Sequence, residues 1–213
     1  MIPFDECEVL DFLNNDNSLD LYHQNLYLQD FYDIANKLEC KYYTENSFSL
    51  FLEHKVINKH LIFLNINARS LASNFTGLLT FLDSLSHKPD IIVIEEIWQI
   101  IPEYYNLPDF NLFCNSRQNG RGGGVLIFVR KKYQSVLLHE IKFYENILEA
   151  IAIEVHIPNA KKFICVALYR PNTHRELSSS RQMEIFFDEF RHLLSKLDSL
   201  KLPVYICTDK ILT

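Results

Sequence analysis

The chain has 213 residues, 48% of them hydrophobic, enough for one principal core, since domains commonly run ~100–200 residues. Its net charge of −6 is uneven: residues 1–58 carry 11 acidic and 3 basic side chains while residues 59–213 carry 16 and 18, so the second stretch is nearly neutral and charge excludes no nucleic-acid partner. Five cysteines without a CxxC pair exclude a zinc cluster of ordinary spacing, an acidic amino terminus excludes a signal peptide, and no apolar run approaches the ~18 residues of a membrane span; the expectation is an intracellular protein, nuclear or cytoplasmic, with reduced thiols and no membrane partner.

Residues 1–58 read as an acidic leader with one helix from Asn25 to Glu39, where Tyr27, Phe31, Ile34 and Leu38 line one face. From residue 59 the pattern changes. His60 to Asn67 and Pro89 to Glu95 are apolar runs of strand length, and Leu71 to Leu85 between them has helical spacing, which predicts two neighbouring parallel strands. Strands are predicted at Phe110 to Cys114, Gly124 to Val129, Leu148 to His156 and Phe163 to Tyr169. A helix over Gln182 to Leu197 and a strand at Val204 to Thr208 follow. Consecutive strands flanked by helix-bearing segments predict a mixed α/β sandwich over residues 59–213 rather than a doubly wound sheet.

Polar residues gather at the predicted strand ends. LNINARSL (Leu64 to Leu71) ends a strand in asparagines, PDIIVIEEIW (Pro89 to Trp98) ends one in Glu95 and Glu96, and ALYRPN (Ala167 to Asn172) ends one in Tyr169 and Arg170. An acid at a strand's carboxyl end reaches into a cleft and suits a hard cation such as Mg²⁺. Period-two alternation sends Glu95 and Glu96 to opposite faces. The plainer readings are solvated acids for the pair, a helix cap for Asn67 or Ser70, and an amphipathic core-edge residue for Tyr169. RGGGVLIFVR (Arg121 to Arg130) enters its strand through three glycines, which most simply make a tight hairpin; Arg117, Arg130, Lys131 and Lys132 nearby suit a DNA backbone. Glu149 and Glu154 read as structural. There is no phosphate-binding GxxxxGK[ST] loop and no GxSxG elbow.

In this order and spacing the segments resemble the apurinic-type endonuclease of non-LTR (LINE-type) retrotransposons, a branch of the endonuclease/exonuclease/phosphatase superfamily. Its pattern runs N-x-R/N-S/G-L, PDII-x-x-x-E-x-W, a glycine triplet, Y-x-P, G-D-F-N and a later S-D-H. The resemblance implies an endonuclease/exonuclease/phosphatase-type β-sandwich flanked by helices, and a hydrolase acting on DNA with Mg²⁺ or Mn²⁺ and no organic cofactor. It makes Glu96 the metal-binding glutamate, Asn67 (with Asn65 as its rival), Tyr169 and Asp209 the catalytic residues, and Arg170 and Arg121 substrate contacts. Where the family has G-D-F-N, this chain has Thr208, Asp209, Lys210 and Ile211, and an alkyl group makes none of a carboxamide's hydrogen bonds. No S-D-H follows. The expectation is therefore a fold incomplete at its carboxyl end, inactive as it stands, with an uncovered sheet edge open to association. The alternative is a non-catalytic fragment that binds nucleic acid or protein.

Overall fold

The first sheet begins with a strand, a helix and a parallel strand, the connection that parallel neighbours require. β1 (Phe63–Asn67) and β2 (Ile91–Glu95) pair with Phe63 opposite Ile91 and Asn67 opposite Glu95, and α1 (Leu71–Ser84) joins them. Ser70 caps α1, its Oγ accepting from the Ser73 amide at 3.4 Å, so Asn67 is not the cap. The computed structural model describes residues 44, 47, 50, 51, 61–117, 122–144, 147–158, 160–171 and 178–208. The chain divides into units Met1–Thr44 and Glu45–Thr213, and everything below concerns the second. The helix expected over Asn25 to Glu39 lies outside the described residues.

β3 (Phe110–Asn115) and β4 (Val125–Arg130) complete the first sheet in the order β1-β2-β4-β3, with β4 antiparallel to both neighbours. The second sheet, β5-β6-β7-β8, is formed by β5 (Gln134–Tyr144), β6 (Glu149–His156), β7 (Phe163–Tyr169) and β8 (Val204–Cys207). The first three form an antiparallel meander, and α2 (Ser179–Ser199) carries the chain to β8, parallel to β7. β5 is absent from the sequence reading, for its pairing shifts register between Leu137 and Lys142 and no single alternation runs its length.

The two sheets face each other through Ile91, Val93, Ile127, Ile151, Ile153 and Cys165. α1 covers the outer face of the first sheet, Leu71 and Leu82 packing with Ile92, Ile94 and Phe128. α2 covers the outer face of the second, Phe186, Leu193 and Leu197 packing with Ala152, Ile164 and Val166. The result is the expected helix-flanked α/β sandwich. β1 and β8 are neighbouring edges of the two sheets, Phe63 stacking on Tyr205 with centroids 5.5 Å apart, and Tyr205 stays 50% exposed. Among the described residues no helix is long and apolar enough to cross a membrane.

At the end of the sandwich where β2 begins, Asp90, only 6% exposed, is a structural knot. It accepts from the Ile62 amide (3.1 Å) and the Tyr133 hydroxyl (3.0 Å) and pairs with Lys132 (2.7 Å), pinning β1 and the β4–β5 turn to β2.

Candidate active site

At the opposite end, where β1, β2 and β7 finish, polar side chains replace the apolar interior. Glu96 Oε1 accepts from Asn67 Nδ2 at 2.9 Å and from the Tyr169 hydroxyl at 3.2 Å. Three of the residues singled out in the sequence thus meet on one oxygen, brought there by both sheets. Oε2 of Glu96 carries no hydrogen bond among the described residues. Asn65, on the same face of β1 as Asn67, donates to Glu95 Oε1 at 3.1 Å, so the rival asparagines serve adjacent carboxylates. Only Asn67 touches Glu96.

The period-two argument for the two acids does not reach Glu96. β2 ends at Glu95, which is fully buried, and the chain then turns left-handed at Glu96 with φ 52°. Arg69 (φ 43°), Ser70 (φ 90°) and Trp98 (φ 63°) share positive φ, a conformation costing about 1–2 kcal/mol in a non-glycine residue. Such strain persists only where surrounding bonds hold it. Here they do: Ser70 N donates to Glu96 O (2.8 Å), Ala68 N to Glu95 O (2.8 Å) and Leu71 N to Ile97 O (3.3 Å), lacing the loop after β1 to the segment after β2.

From the other side Trp98 N donates to Gly123 O (2.8 Å) and Ile97 N to Gly124 O (3.3 Å). Gly122, Gly123 and Gly124 all have positive φ, and a Cβ on Gly124 would stand 2.7 Å from Ile97 Cγ1. Gly123 and Gly124 are therefore a close-packed support as well as part of a turn, while Gly122 faces open space. Glu149, 3% exposed, closes the floor: its carboxylate accepts from Arg117 Nε and the Gly124 amide. In the sequence Glu149 carries no mark beyond a structural acid, because its partners are remote in the chain. Arg69, exposed and without an ion pair among the described residues, was likewise given no role, although Asn67 Oδ1 holds its amide at 3.1 Å. The indole Nε1 of Trp98 is buried with no hydrogen-bond partner among the described residues.

Arg170 follows Tyr169 on the opposite face of the strand, and its guanidinium lies over the Phe186 ring of α2, 5.4 Å from the centroid. The basic residues after β3 are divided: Arg117 is at the Glu96 end, whereas Arg130 ends six-residue β4 and Lys131 and Lys132 follow it, roughly 17 Å away at strand rise. Arg121 and Asp209, and with them Asn172 and Ile211, lie outside the described residues.

The ligating oxygens here are those of the Glu96 carboxylate, with the Tyr169 phenol beside it, whereas Asn67 turns its Nδ2 to Glu96 and its oxygen to the Arg69 amide. That set fits Mg²⁺, which keeps several waters and is commonly held by one or two carboxylates plus substrate phosphate. No group of three or more His, Cys, Asp or Glu side chains suited to a metal occurs among the described residues.

A model of the Endonuclease/Exonuclease/phosphatase family matches residues 62–207. Among solved structures, humanized D. rerio TDP2, altered by 14 mutations, superposes with a TM-score of 0.50 at 17% identity over 72% of this chain and 67% of that one. D. rerio TDP2 with a single-strand DNA product gives 0.49 at 17% identity over 72% and 61%. The AP endonuclease LMAP of Leishmania major gives 0.47 at 13% over 92% and 61%. The chain thus spans about six tenths of the length of the second and third. No curated protein matches it.

Proposed function

The chain belongs to the Endonuclease/Exonuclease/phosphatase family, and from that premise we propose that residues 61–213 derive from a Mg²⁺-dependent DNA endonuclease of the LINE retrotransposon type, built around Glu96. The observation that carries this is the convergence of Asn67 and Tyr169 on one oxygen of Glu96. In this reading Glu96 holds the cation, with Mn²⁺ an acceptable substitute. When bound, the cation neutralises charge on the phosphoryl oxygens. Asn67 and Tyr169 orient the carboxylate and approach the scissile phosphate, Asp209 orients the attacking water, and Arg69 screens a flanking phosphate of the DNA. Arg170 serves the fold by stacking on α2.

Ile211, where the resemblance calls for asparagine, leaves the water without one orienting amide. In this reading the chain binds a divalent cation without cutting. The experiment is nicking of supercoiled plasmid with Mg²⁺ or Mn²⁺, beside cation titration, each against Glu96→Ala. Expected is binding lost in Glu96→Ala and no nicking above that control. Nicking that disappears in Glu96→Ala would overturn the inactive part of the reading, and cation binding indifferent to Glu96→Ala would overturn the site itself.

A further inference from the structure

Glu149 is an acid buried between the sheets, and its stabilising value does not explain it. A buried ion pair is a poor source of stability, since well-packed apolar side chains in its place are often as good. What the pair supplies that apolar groups do not is direction. The carboxylate accepts from Arg117, which follows β3, and from the amide of Gly124, which precedes β4, so one side chain of the second sheet fixes the glycine turn of the first. The turn's carbonyls at Gly123 and Gly124 then receive the amides of Trp98 and Ile97, the residues that leave Glu96. On its own sheet Glu149 stands opposite Tyr169, the phenol that donates to Glu96.

We propose that Glu149 is a positioning residue for the Glu96 site: its carboxylate sets the glycine turn, and the turn holds Glu96 in its left-handed conformation beneath Asn67 and Tyr169. The proposal rests on reading Glu96 as the centre of the site. The fit is close at each link. A Cβ on Gly123 would lie 2.6 Å from Glu149 Oε1, and one on Gly124 would lie 3.2 Å from the Trp98 carbonyl, so neither glycine leaves slack between carboxylate and backbone. Asn115 Nδ2, donating across the sheets to the Ala150 carbonyl at 3.4 Å, steadies the end of β3 beside the pair.

Trp98 is the chain's sole tryptophan and lies within this linkage, so its emission reports the 96–98 backbone without any metal. The 213-residue chain is compared with Glu149→Gln, with Gly123→Ala, and with Ile151→Val, which thins the core of the same strand away from the turn. Trp98 emission and its quenching by acrylamide are read first, metal-free. Mn²⁺ affinity is then read by electron paramagnetic resonance, with Glu96→Gln defining the Glu96-dependent part. In Glu149→Gln and Gly123→Ala, Trp98 emission moves to the red and quenches more readily, and the Kd for Mn²⁺ rises about tenfold, as for loss of a residue that orients a ligand. Ile151→Val lowers the melt and changes neither reading. If Glu149→Gln is folded and matches the parent in both readings, Glu149 is only structural and the proposal falls. If the parent shows no Glu96-dependent Mn²⁺ binding, the metal reading fails separately, and Trp98 alone decides the positioning. Should Glu149→Gln not fold, Gly123→Ala decides by the same criteria.

Discussion

Glu96 adopts φ 52°, a backbone that glycine takes without penalty and an L side chain takes at a cost. Comparing Glu96→Ala with Glu96→Gly isolates that cost. Both variants lose the carboxylate and the same two hydrogen bonds, from Asn67 and Tyr169, so those losses cancel between them. What remains is a left-handed penalty of about 1–2 kcal/mol in the alanine chain. Against it stands the greater unfolded-state freedom of glycine, worth about 0.4–1 kcal/mol. Glycine should therefore win by about 1 kcal/mol, or about 3 °C in Tm for a chain of this size. Urea unfolding followed by Trp98 fluorescence measures the difference. Alanine equal to or more stable than glycine would refute the claim that strain is held at this residue, and with it the reading of the surrounding bonds as its restraint.

Phe186 is fully buried beneath Arg170 and beside Phe187 and Phe190, so Phe186→Ala should cost about 4 kcal/mol in chemical unfolding; a loss below about 1 kcal/mol would mean α2 does not anchor the second sheet. Burial pushes the Tyr133 phenol up, the Lys132 hydrogen bond pulls against this, and the charge of Asp90 adds to the rise. A folded pKa above the unfolded value gives stabilisation that is full below about pH 10 and lost as pH climbs through the folded pKa, so the stability gap between the parent and Tyr133→Phe should narrow in alkali; a constant gap would refute it. The hydrogen bond between Cys165 and Cys207, with burial adding, holds the Cys165 thiol well up, while the same bond lowers Cys207. Iodoacetamide followed by mass spectrometry should find Cys207 alkylated first, and prior labelling of Cys165 would contradict the assignment.

Elements whose identity depends on local periodicity were legible. The β1–α1–β2 unit, the core-facing residues of α2 and the apolar β7 all announce themselves in windows of a few residues. β5 did not, because its register shift interrupts the alternation that marks a strand. At the site, Glu96 and Tyr169 stood out as polar residues ending apolar strands. Their neighbours did not. Which carboxylate Asn65 and Asn67 each reach is a tertiary matter, set by the turn at Glu96. Glu149 looks like any acid opening a strand until Arg117, 32 residues earlier, arrives beside it. Periodicity carries direction along a strand and says nothing of what the opposite sheet supplies.

The hydrogen bond from Tyr169 to Glu96 spans 73 residues of sequence and joins the two sheets. Contacts of such separation close late in folding, after nearer ones have offset the entropy of the loop between them. The β5–β6–β7 meander can form from short connections, and so can the β1–α1–β2 unit, each without the other. During synthesis, Glu96 therefore waits without its phenol until β7 has left the ribosome and the sheets have docked. A folding intermediate with both sheets formed but apart would show nearly native secondary structure and Glu96 without Tyr169, so under the proposed reading of Glu96 as a cation ligand, cation binding would time the docking step.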